Sequence, residues 1–447
     1  MKNNDTEHDT PRTGVTGKRK TASRAAGKKP RSRTRNTAVA ETEFKSPFGS
    51  VSLRRYPYRQ KETLRAWDAA DVYCLDYLGL EHLPENEILS KGKDSRILIF
   101  NDAFGGLGIP LHDYRPTVIT DSFITMQGIR QNMALNDIAQ AEIRLCNSLQ
   151  DLGELYPDGV DVALIKVPKN NAMLDYQLHQ LRDVLRTDSI VIAAGMTRHI
   201  HNSTMDAFSN IIGDTHSTLA KKKARLIISK FDEGLDIAEC EFPLQYEVDI
   251  QLPDETGDAA VSQRISLINH AAVFSATRLD LGTQLFLQHI MSDPRYRTIV
   301  DLGCGNGLLG IHAALLNPEA KLVFTDESYM AVDSAMSNFT HLFGEAGGDG
   351  QREAEFLQTD CLQGVDNDSA DLVLCNPPFH QNNIITDSIA WRMFSESRDV
   401  LREGGELWVV GNRHLAYHAK LKHLFGNCET IASDKRFSLV RAVKKSG

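Results

Sequence analysis

Residues 301–307 read Asp-Leu-Gly-Cys-Gly-Asn-Gly and end an apolar run that starts near Tyr296. The run predicts a buried strand over Tyr296–Leu302, and the apolar stretch after the glycines predicts a helix over Leu308–Leu316. Three glycines at alternate positions permit a tight turn between strand and helix, and they let a ligand approach the backbone closely. This order of strand, turn and helix is typical of the ligand-binding edge of an α/β sheet.

Strands and helices are predicted to alternate through the rest of the C-terminal part. The predicted strands are Tyr296–Leu302, Lys321–Thr325, Asp371–Cys375, Glu406–Val410 and Phe437–Val443, and the predicted helices are Leu308–Leu316, Met330–Phe343 and Ala390–Leu401. Such alternation indicates an α/β fold with a doubly wound parallel sheet. The last strand, Phe437–Val443, is expected to be an edge or antiparallel strand. Ligands of these sheets bind beyond the carboxyl ends of the strands, where the glycine-rich turn lies.

A second motif, Asn-Pro-Pro-Phe-His at 376–380, directly follows a predicted strand. The exocyclic amine of a purine is a poor nucleophile because its lone pair is delocalised into the ring. The side-chain oxygen of Asn376 and the carbonyl oxygen of Pro377 could accept the two amine hydrogens, while the prolines fix the turn. Phe379 could stack on the base. We expect catalytic roles for Asn376, Pro377, Pro378 and Phe379 in methyl transfer to a planar amine.

Three acidic residues follow predicted strands at the same edge of the sheet: Asp301, Asp326 and Asp360. Asp301 could accept from an ammonium group, Asp326 from ribose hydroxyls and Asp360 from an adenine amine. The phosphate-binding form of the glycine motif is not matched, because Leu308 occupies its third glycine position. These features favour S-adenosylmethionine, which has ribose and adenine but no pyrophosphate. The expected cofactor-binding residues are Asp301, Gly303, Gly305, Asp326 and Asp360.

The N-terminal part repeats these landmarks, which predicts a duplication of the whole domain. Its predicted strands are Arg96–Phe100, Thr117–Thr120 (followed by Asp121, as Asp326 follows Thr325) and Asp161–Ile165. Alignment of Gly105 with Gly305 places Asn101, Ala103 and Leu107 opposite Asp301, Gly303 and Gly307, and places Lys166 and Lys169 opposite Asn376 and Phe379. Side chains in place of glycine narrow the space for a ligand, and lysine cannot accept from an amine. We predict that this copy is degenerate and inactive, with two lysines suited to phosphate contacts.

Charge is distributed unevenly along the 447 residues. Residues 1–40 hold 11 Lys/Arg and 3 Asp/Glu, which leaves 39 basic and 56 acidic residues in the rest. A basic arm on an acidic body is typical of a disordered tail that contacts polyanions, although a solvated tail with no defined task has the same composition. We expect a disordered basic tail over 1–43, a degenerate domain over 44–250 and a catalytic domain over 260–447. Pro253, Asp254, Gly257 and Asp258 mark the predicted boundary.

The cysteines and the hydropathy exclude several classes of protein. Seven scattered cysteines include no CxxC pair, so neither a disulfide framework nor a metal site is expected. No apolar run is long enough to cross a membrane, and the first ten residues lack a signal-peptide core. We therefore expect a cytoplasmic protein without membrane or metal partners. The oligomeric state is not encoded in any recognisable pattern, and a monomer is compatible with the sequence.

From about Phe44 to Lys445 the chain resembles the RlmG family of large-subunit ribosomal RNA guanine-N2 methyltransferases. The matching stretches are Asn101–Gly105, Leu164–Lys169, Lys222–Leu226, Asn269–Ala271, Val273–Ser275, Asp301–Gly307, Asn376–Gln381 and Asn412–Leu415. The resemblance implies two tandem Rossmann-like domains, S-adenosyl-L-methionine as cofactor and 23S ribosomal RNA as partner. It implies methylation of guanine 1835, cofactor contacts at Asp301, Gly303, Gly305 and Asp326, and catalysis at residues 376–379. It also implies that the N-terminal domain grips RNA, and that the segment around Asp280 forms a lid or a simple helix entry.

Other functions remain compatible with these residues. The related RsmC family methylates guanine N2 in 16S ribosomal RNA on the same two-domain plan. The same amine-binding turn serves adenine-N6 and protein-glutamine methyltransferases. A noncatalytic RNA-binding or assembly protein is a further alternative, which the intact Asn376 and glycine-rich turn disfavour.

Overall fold

The computed structural model describes residues 40–82, 94–254, 260–344, 352–378 and 384–446. Residues 1–39, which make up most of the expected basic tail, lie outside this part of the chain, as do Phe379 and His380. None of the helices within the described residues is long and apolar enough to cross a membrane.

The N-terminal half contains a seven-stranded sheet with helices on both faces. The strands of the N-terminal half are β1 (Glu43–Ser46), β2 (Gly49–Ser52), β3 (Ile97–Phe100), β4 (Thr117–Thr120), β5 (Arg144–Asn147), β6 (Val162–Lys166), β7 (Ile190–Met196), β8 (Thr215–Ser217) and β9 (Ala224–Ser229). Its helices are α1 (Ala69–Asp76), α2 (Phe123–Leu135), α3 (Leu152–Leu155), α4 (Asn171–Arg182) and α5 (Asn202–Ile211). The strand order is β5-β4-β3-β6-β7-β9-β8, and β1 pairs with β2 alone.

The C-terminal half repeats this architecture. Its strands are β10 (Leu244–Pro253), β11 (Ala260–Asn269), β12 (Thr298–Leu302), β13 (Lys321–Asp326), β14 (Ala354–Gln358), β15 (Ala370–Cys375), β16 (Leu401–Asn412), β17 (Glu429–Ser433) and β18 (Phe437–Val443). Its helices are α6 (Leu281–Leu287), α7 (Leu308–Leu316), α8 (Tyr329–Phe343), α9 (Ile384–Val400) and α10 (Tyr417–Phe425). The order β14-β13-β12-β15-β16-β18-β17 matches the first sheet strand for strand, which confirms two tandem Rossmann-like domains.

The central strands are buried on both faces, as parallel strands covered by helices are expected to be. Every residue of β3 is at most 1% exposed, and so is every residue of β12 after Thr298, all of them apolar except Asp301. Helix α7 is apolar around most of its circumference and packs against β12 and β13. In each half, the two faces of the sheet carry separate hydrophobic cores.

Strand register fixes which residues of the two halves correspond. The defining pairs are Leu302–Thr325 and Leu302–Cys375 in the second sheet, and Phe100–Ile119 and Phe100–Ile165 in the first. The residues that follow Leu302 and Phe100 therefore correspond as well, and Gly303 and Asn101 both have a positive φ, 71° and 62°. The alignment of Gly105 with Gly305 is wrong by two residues, because Gly105 occupies the position of Gly307.

The corrected register changes the expected correspondences of Asn101, Ala103, Leu107 and Asp121, and it keeps that of Lys166. Ile99, rather than Asn101, occupies the position of Asp301, so the first half has no acid there. Thr120, rather than Asp121, occupies the position of Asp326. Lys166 does occupy the position of Asn376, because each follows the strand residue that pairs with the central strand. The first half nevertheless keeps one buried acid of this kind, since Asp102 Oδ2 accepts from the N–H of Gly108 (2.7 Å) as Asp301 Oδ2 accepts from that of Gly310. That the first half is degenerate stays a prediction.

The predicted domain boundary lies inside the C-terminal half. Strands β10 and β11 pair antiparallel along their whole length, from Leu244–Asn269 to Pro253–Ala260. Val248, Ile250 and Ile265 of this hairpin belong to the same hydrophobic core as α7. Pro253 thus ends the first strand of a hairpin, Gly257 and Asp258 lie outside the described residues, and we propose that the boundary lies before Leu244.

The two halves exchange hydrogen bonds at the starts of α2 and α8. The backbone N–H of Tyr329 donates to the carbonyl of Asp121 (2.9 Å), and that of Phe123 donates to the carbonyl of Glu327 (2.8 Å). The carboxylate of Asp121 accepts from the Ser328 hydroxyl, and the carboxylate of Glu327 accepts from the Ser122 hydroxyl. Ser122 and Ser328 are the N-caps of the two helices. The contact is therefore reciprocal, with each half placing an acid at the first turn of the other half's helix.

Candidate active site

The glycine-rich turn connects β12 to α7 at the carboxyl edge of the second sheet. Gly303, Gly305 and Gly307 have φ of 71°, 54° and 81°, in the region that favours glycine. A methyl group built on Gly305 would have no heavy atom within 4 Å, whereas one on Gly307 would be 2.9 Å from the Cβ of Ala335. Gly307 is thus required for helix packing, and Gly305 leaves open space in which a ligand can approach the backbone.

Two acids hold this turn in place. Asp301 Oδ2 accepts from the N–H of Gly310 (2.8 Å), one of the first N–H groups of α7 that have no partner within the helix. Asp326 Oδ2 accepts from the N–H of Gly305 (3.0 Å), and its other oxygen accepts from the N–H of Ser328 (3.0 Å). The two acids therefore connect the turn to the start of α7 and to the end of β13.

Asp301 is 1% exposed, and burial raises the pKa of its carboxyl to about 7. The N–H of Gly310 opposes this rise, while the negative charge of Asp326 adds to it. Burial also raises the pKa of Asp326. A cationic group bound beside these two acids would favour their charged forms.

Asp360 lies two residues after β14 and is 1% exposed. It forms an ion pair with Arg392 of α9, and its Oδ2 has no hydrogen-bond partner. Arg392 also donates to the Sγ of Cys361 (3.0 Å). Part of the Asp360 carboxylate is therefore occupied by the arginine, and one buried oxygen is left to accept from a ligand.

Asn376 follows β15 at the edge where the glycine-rich turn follows β12, since Cys375 and Leu302 are paired. Its Nδ2 donates to Thr283 Oγ1 (3.0 Å) and lies 3.3 Å from Asp280 Oδ2. Its Oδ1 is buried and has no hydrogen-bond partner. The side chain thus presents a free acceptor. Pro377 is buried and Pro378 is exposed, and the expected stacking residue Phe379 lies outside the described residues.

The hydrogen bonds from Asn376 to Asp280 and Thr283 were not expected from the sequence. Asp280 is the N-cap of α6, and its carboxylate accepts from the N–H of Gly282 and from the N–H and hydroxyl of Thr283. The segment was expected to be either a lid or a helix entry. Asp280 does stand at the start of α6, and the role as a lid stays a prediction. The N-cap pattern is visible in the sequence, but it says nothing about a residue more than 90 positions away.

In the first half, the position of Asn376 is occupied by Lys166, which forms ion pairs with two aspartates. Lys166 Nζ lies 2.6 Å from Asp71 Oδ1 and 3.0 Å from Asp68 Oδ1. Burial acts to lower the pKa of Lys166, but the two carboxylates outweigh burial and raise it. The expectation that Lys166 contacts phosphate is wrong, because its charge already faces two acids inside the protein. Lys169 is exposed.

One group of potential metal ligands occurs among the described residues, away from this site. Asp175, His179 and Cys240 have ligand atoms within 4.8 Å of one another. The Nδ1 of His179 is 2.9 Å from the carbonyl of Asp175, and its Nε2 is 3.1 Å from the carbonyl of Ala238. Both ring nitrogens of His179 therefore lie within hydrogen-bond distance of backbone carbonyl oxygens.

Two protein families match the chain. The family described as "RLMG N-terminal domain" matches residues 41–233, and the family described as "Methyltransferase small domain" matches residues 264–441. These ranges cover the two sheets, and residue 264 lies within β11.

Curated relatives match over almost the whole described chain. A protein of Streptomyces coelicolor named "Ribosomal RNA large subunit methyltransferase G" is 44% identical over 90% of this chain and 100% of its own length. A protein of the same name from Pseudoalteromonas translucida is 43% identical over 89% of this chain and 97% of its own length.

A solved structure shares the fold. It is the T. thermophilus 16S rRNA N2 G1207 methyltransferase (RsmC) in complex with AdoMet and guanosine. It superposes with a TM-score of 0.64 over 90% of this chain and 98% of its own, at 18% sequence identity. The similarity therefore supports the tandem two-domain architecture.

Proposed function

The chain belongs to the ribosomal RNA large subunit methyltransferase G family, and from this premise we propose that it methylates the exocyclic N2 of one guanine in 23S ribosomal RNA. The guanine that the family resemblance implies is 1835. The cofactor is S-adenosylmethionine. The support from the site itself is a single observation, the buried and unpartnered Oδ1 of Asn376 beside the glycine-rich turn.

That oxygen suits an amine substrate. A buried acceptor without a partner is costly unless a ligand donates to it, and a guanine N2 has two hydrogens to donate. Contact with Asn376 Oδ1, together with the proposed contact at the carbonyl of Pro377, would orient the amine and draw its lone pair out of the ring. Phe379 is proposed to stack on the base, which favours a nucleotide that is unpaired or turned out of its helix.

The residues around the turn fit S-adenosylmethionine. Bound there, it supplies a methyl group on a sulfonium, which leaves the protein mainly the task of positioning. We propose that Asp301, Gly303, Gly305, Asp326 and Asp360 bind it. The open space at Gly305 and the unpartnered Oδ2 of Asp360 support this assignment.

We propose that the first half binds the RNA backbone through a basic surface at the carboxyl edge of its sheet. Met196 ends β7 opposite Ala224, so the turn of three lysines at 221–223 lies beside the residues that follow β7. Burial and the positive charges of Arg198 and Lys169 lower the pKa of His199, which indicates clustered positive charge. Lysine and arginine at such an edge would contact phosphates without reading sequence.

The decisive experiment is transfer of labelled methyl groups from S-adenosylmethionine to total ribosomal RNA that lacks the modification. The separated 16S and 23S RNAs are then digested to nucleosides. We expect label only in N2-methylguanosine from 23S RNA. Label in 16S RNA would support the RsmC-like alternative, and N6-methyladenosine or a labelled protein glutamine would overturn the guanine assignment.

The role of Asn376 has its own test. We expect Asn376→Ala to reduce turnover by at least about 100-fold, because it removes the oriented acceptor, as loss of an oriented oxyanion donor does in other enzymes. The affinity for S-adenosylmethionine, measured by calorimetry, should change little. A variant that turns over normally would exclude Asn376 from catalysis, and one that no longer binds the cofactor would assign it to binding instead.

A further inference from the structure

We propose that Asp280 and Thr283 are positioning residues that hold the amide of Asn376 in one orientation, with Oδ1 toward the substrate amine. This inference rests on the proposed function, since it concerns the same acceptor. It assigns a role in the reaction to the first turn of α6, a segment that is separate in sequence from the glycine-rich turn and from the Asn-Pro-Pro motif.

The hydrogen bonds around the amide have a fixed direction. Thr283 donates its hydroxyl hydrogen to Asp280 Oδ2 (2.9 Å), so the lone pairs of Thr283 Oγ1 are free to accept from Asn376 Nδ2 (3.0 Å). Asp280 is an N-cap, whose carboxylate is held by two backbone N–H groups of α6. Both oxygens that face Nδ2 are therefore acceptors, and their positions are set by a helix terminus.

The opposite orientation of the amide is disfavoured by the same contacts. A half-turn about the last side-chain bond would place Oδ1 against Thr283 Oγ1 and the Asp280 carboxylate, where acceptors would face one another. It would also turn the NH₂ group toward the substrate, and an NH₂ group cannot accept from an amine. In the observed orientation the one unpartnered atom of the amide is its buried Oδ1.

The first half provides an independent comparison. Asp68 is the N-cap of α1, as Asp280 is the N-cap of α6, and Asp71 lies three residues after its cap, as Thr283 does. There, Lys166 replaces the asparagine, and an aspartate replaces the threonine. Where the asparagine is lost, the residue that faces it has also changed, from a hydroxyl that accepts from an amide to a carboxylate that pairs with a lysine.

The test uses the full-length chain and two substitutions of Thr283. Thr283→Val keeps the shape of the side chain but removes the acceptor, and Thr283→Ser keeps the acceptor. We expect Thr283→Val to lower kcat by about tenfold or more, because a misdirected amide misplaces the amine. The affinity for S-adenosylmethionine and the KM for RNA should change by less than about threefold. Thr283→Ser should restore kcat to within about threefold of the wild type.

Two further variants separate positioning from stability. Asp280→Asn keeps an N-cap acceptor, since asparagine caps helices about as well as aspartate, but it replaces an acceptor oxygen by a donor. We expect a lower kcat with a melting temperature near that of the wild type. Thr215→Val is the matched control, because it removes a hydroxyl with two hydrogen bonds in β8 of the first half, and its kcat should not change.

The outcomes are distinguishable. If the wild type forms no N2-methylguanosine, the proposed function fails. If it does, and Thr283→Val has the same kcat, the positioning role is wrong. The role is equally wrong if Thr283→Ser loses as much activity as Thr283→Val, or if the loss of kcat is matched by a loss of cofactor affinity and of melting temperature.

Discussion

At the scale of single residues, the buried carboxyl of Asp301 predicts that the stability of the protein depends on pH. Burial raises the pKa of Asp301 to about 7, well above the ordinary value of about 3.9 for an aspartate. Between these two values the folded protein holds a proton that the unfolded chain has released. Asp301 therefore lowers stability as the pH rises from about 4 to about 7.

Asp301→Asn removes this dependence while its amide oxygen can still accept from the N–H of Gly310. We compare the melting temperatures of the variant and the wild type, both without cofactor. From pH 5 to pH 7.5 the difference should shift by several degrees in favour of the variant. About 1 kcal/mol corresponds to roughly 2–4 °C in a domain of this size. A constant difference between the two proteins across this range would contradict the assigned pKa.

Single residues also show what the sequence could and could not predict. The positions of Asp301, Asp326 and the glycines at the carboxyl edge of the second sheet were predicted because they follow strands in a recognisable spacing, whereas their contacts with the cofactor stay a proposal. The link from Thr283 to Asn376 was not, because the two are distant in sequence and the N-cap of α6 explains the local pattern completely. The internal alignment was wrong by two residues because glycines were matched by identity, whereas strand register decides the correspondence.

At the scale of elements, periodic segments were predicted well and turn signals poorly. Helix Leu308–Leu316 and strand Phe437–Val443 have the predicted bounds, since a continuous apolar pattern requires burial. The hairpin of β10 and β11 was missed. Proline, glycine and aspartate occur both at hairpin ends and between domains, so their presence at 253–258 did not distinguish the two.

Packing between α7 and β13 gives the prediction at this scale. A methyl group on Gly310 would lie 2.3 Å from the ring of Phe324, which is buried and packs against the rings of both Phe339 and Phe356. Gly310→Ala should therefore lower the free energy of unfolding by about 1–3 kcal/mol, despite the better helix propensity of alanine.

Gly153→Ala is the control for Gly310→Ala. Gly153 lies on the exposed surface of α3, and the nearest atom to its added methyl group is an exposed carboxylate oxygen of Asp151. Denaturant unfolding of both variants measures the difference. Equal stability of Gly310→Ala and the wild type would show that the Phe324 ring has room to move.

At the scale of the whole molecule, the fold was predicted as two tandem sheets, but their contact was not. Asp121 was interpreted as a counterpart of Asp326, for which cofactor binding is proposed. The structure places it at the N–H of Met330 (2.9 Å) and at the hydroxyl of Ser328, at the start of α8 in the other half. No sequence pattern within one half can reveal an acid that serves the other.

The reciprocal contact predicts an effect across the molecule. Asp121→Ala should cost about 0.5–2 kcal/mol of stability, as loss of an N-cap acceptor does. It should also weaken binding of S-adenosylmethionine, because Ser328 and Asp326 belong to the same turn. Calorimetry compares it with Asp151→Ala, which removes a cap acceptor whose hydrogen bonds to Gly153 and Glu154 lie within the first half. Unchanged cofactor affinity in Asp121→Ala would show that the two halves bind independently.

The reciprocal contact also limits which domain exchanges this protein can tolerate, both in engineering and in evolution. Glu327 and Asp121 each bind the first turn of a helix in the opposite half. If the chain were divided into its two halves, the starts of both helices would lose these acids. A foreign RNA-binding module fused in place of the first half would need an acid at the same point. The first half is therefore not a detachable accessory, and we expect the two halves to be gained, lost and exchanged together.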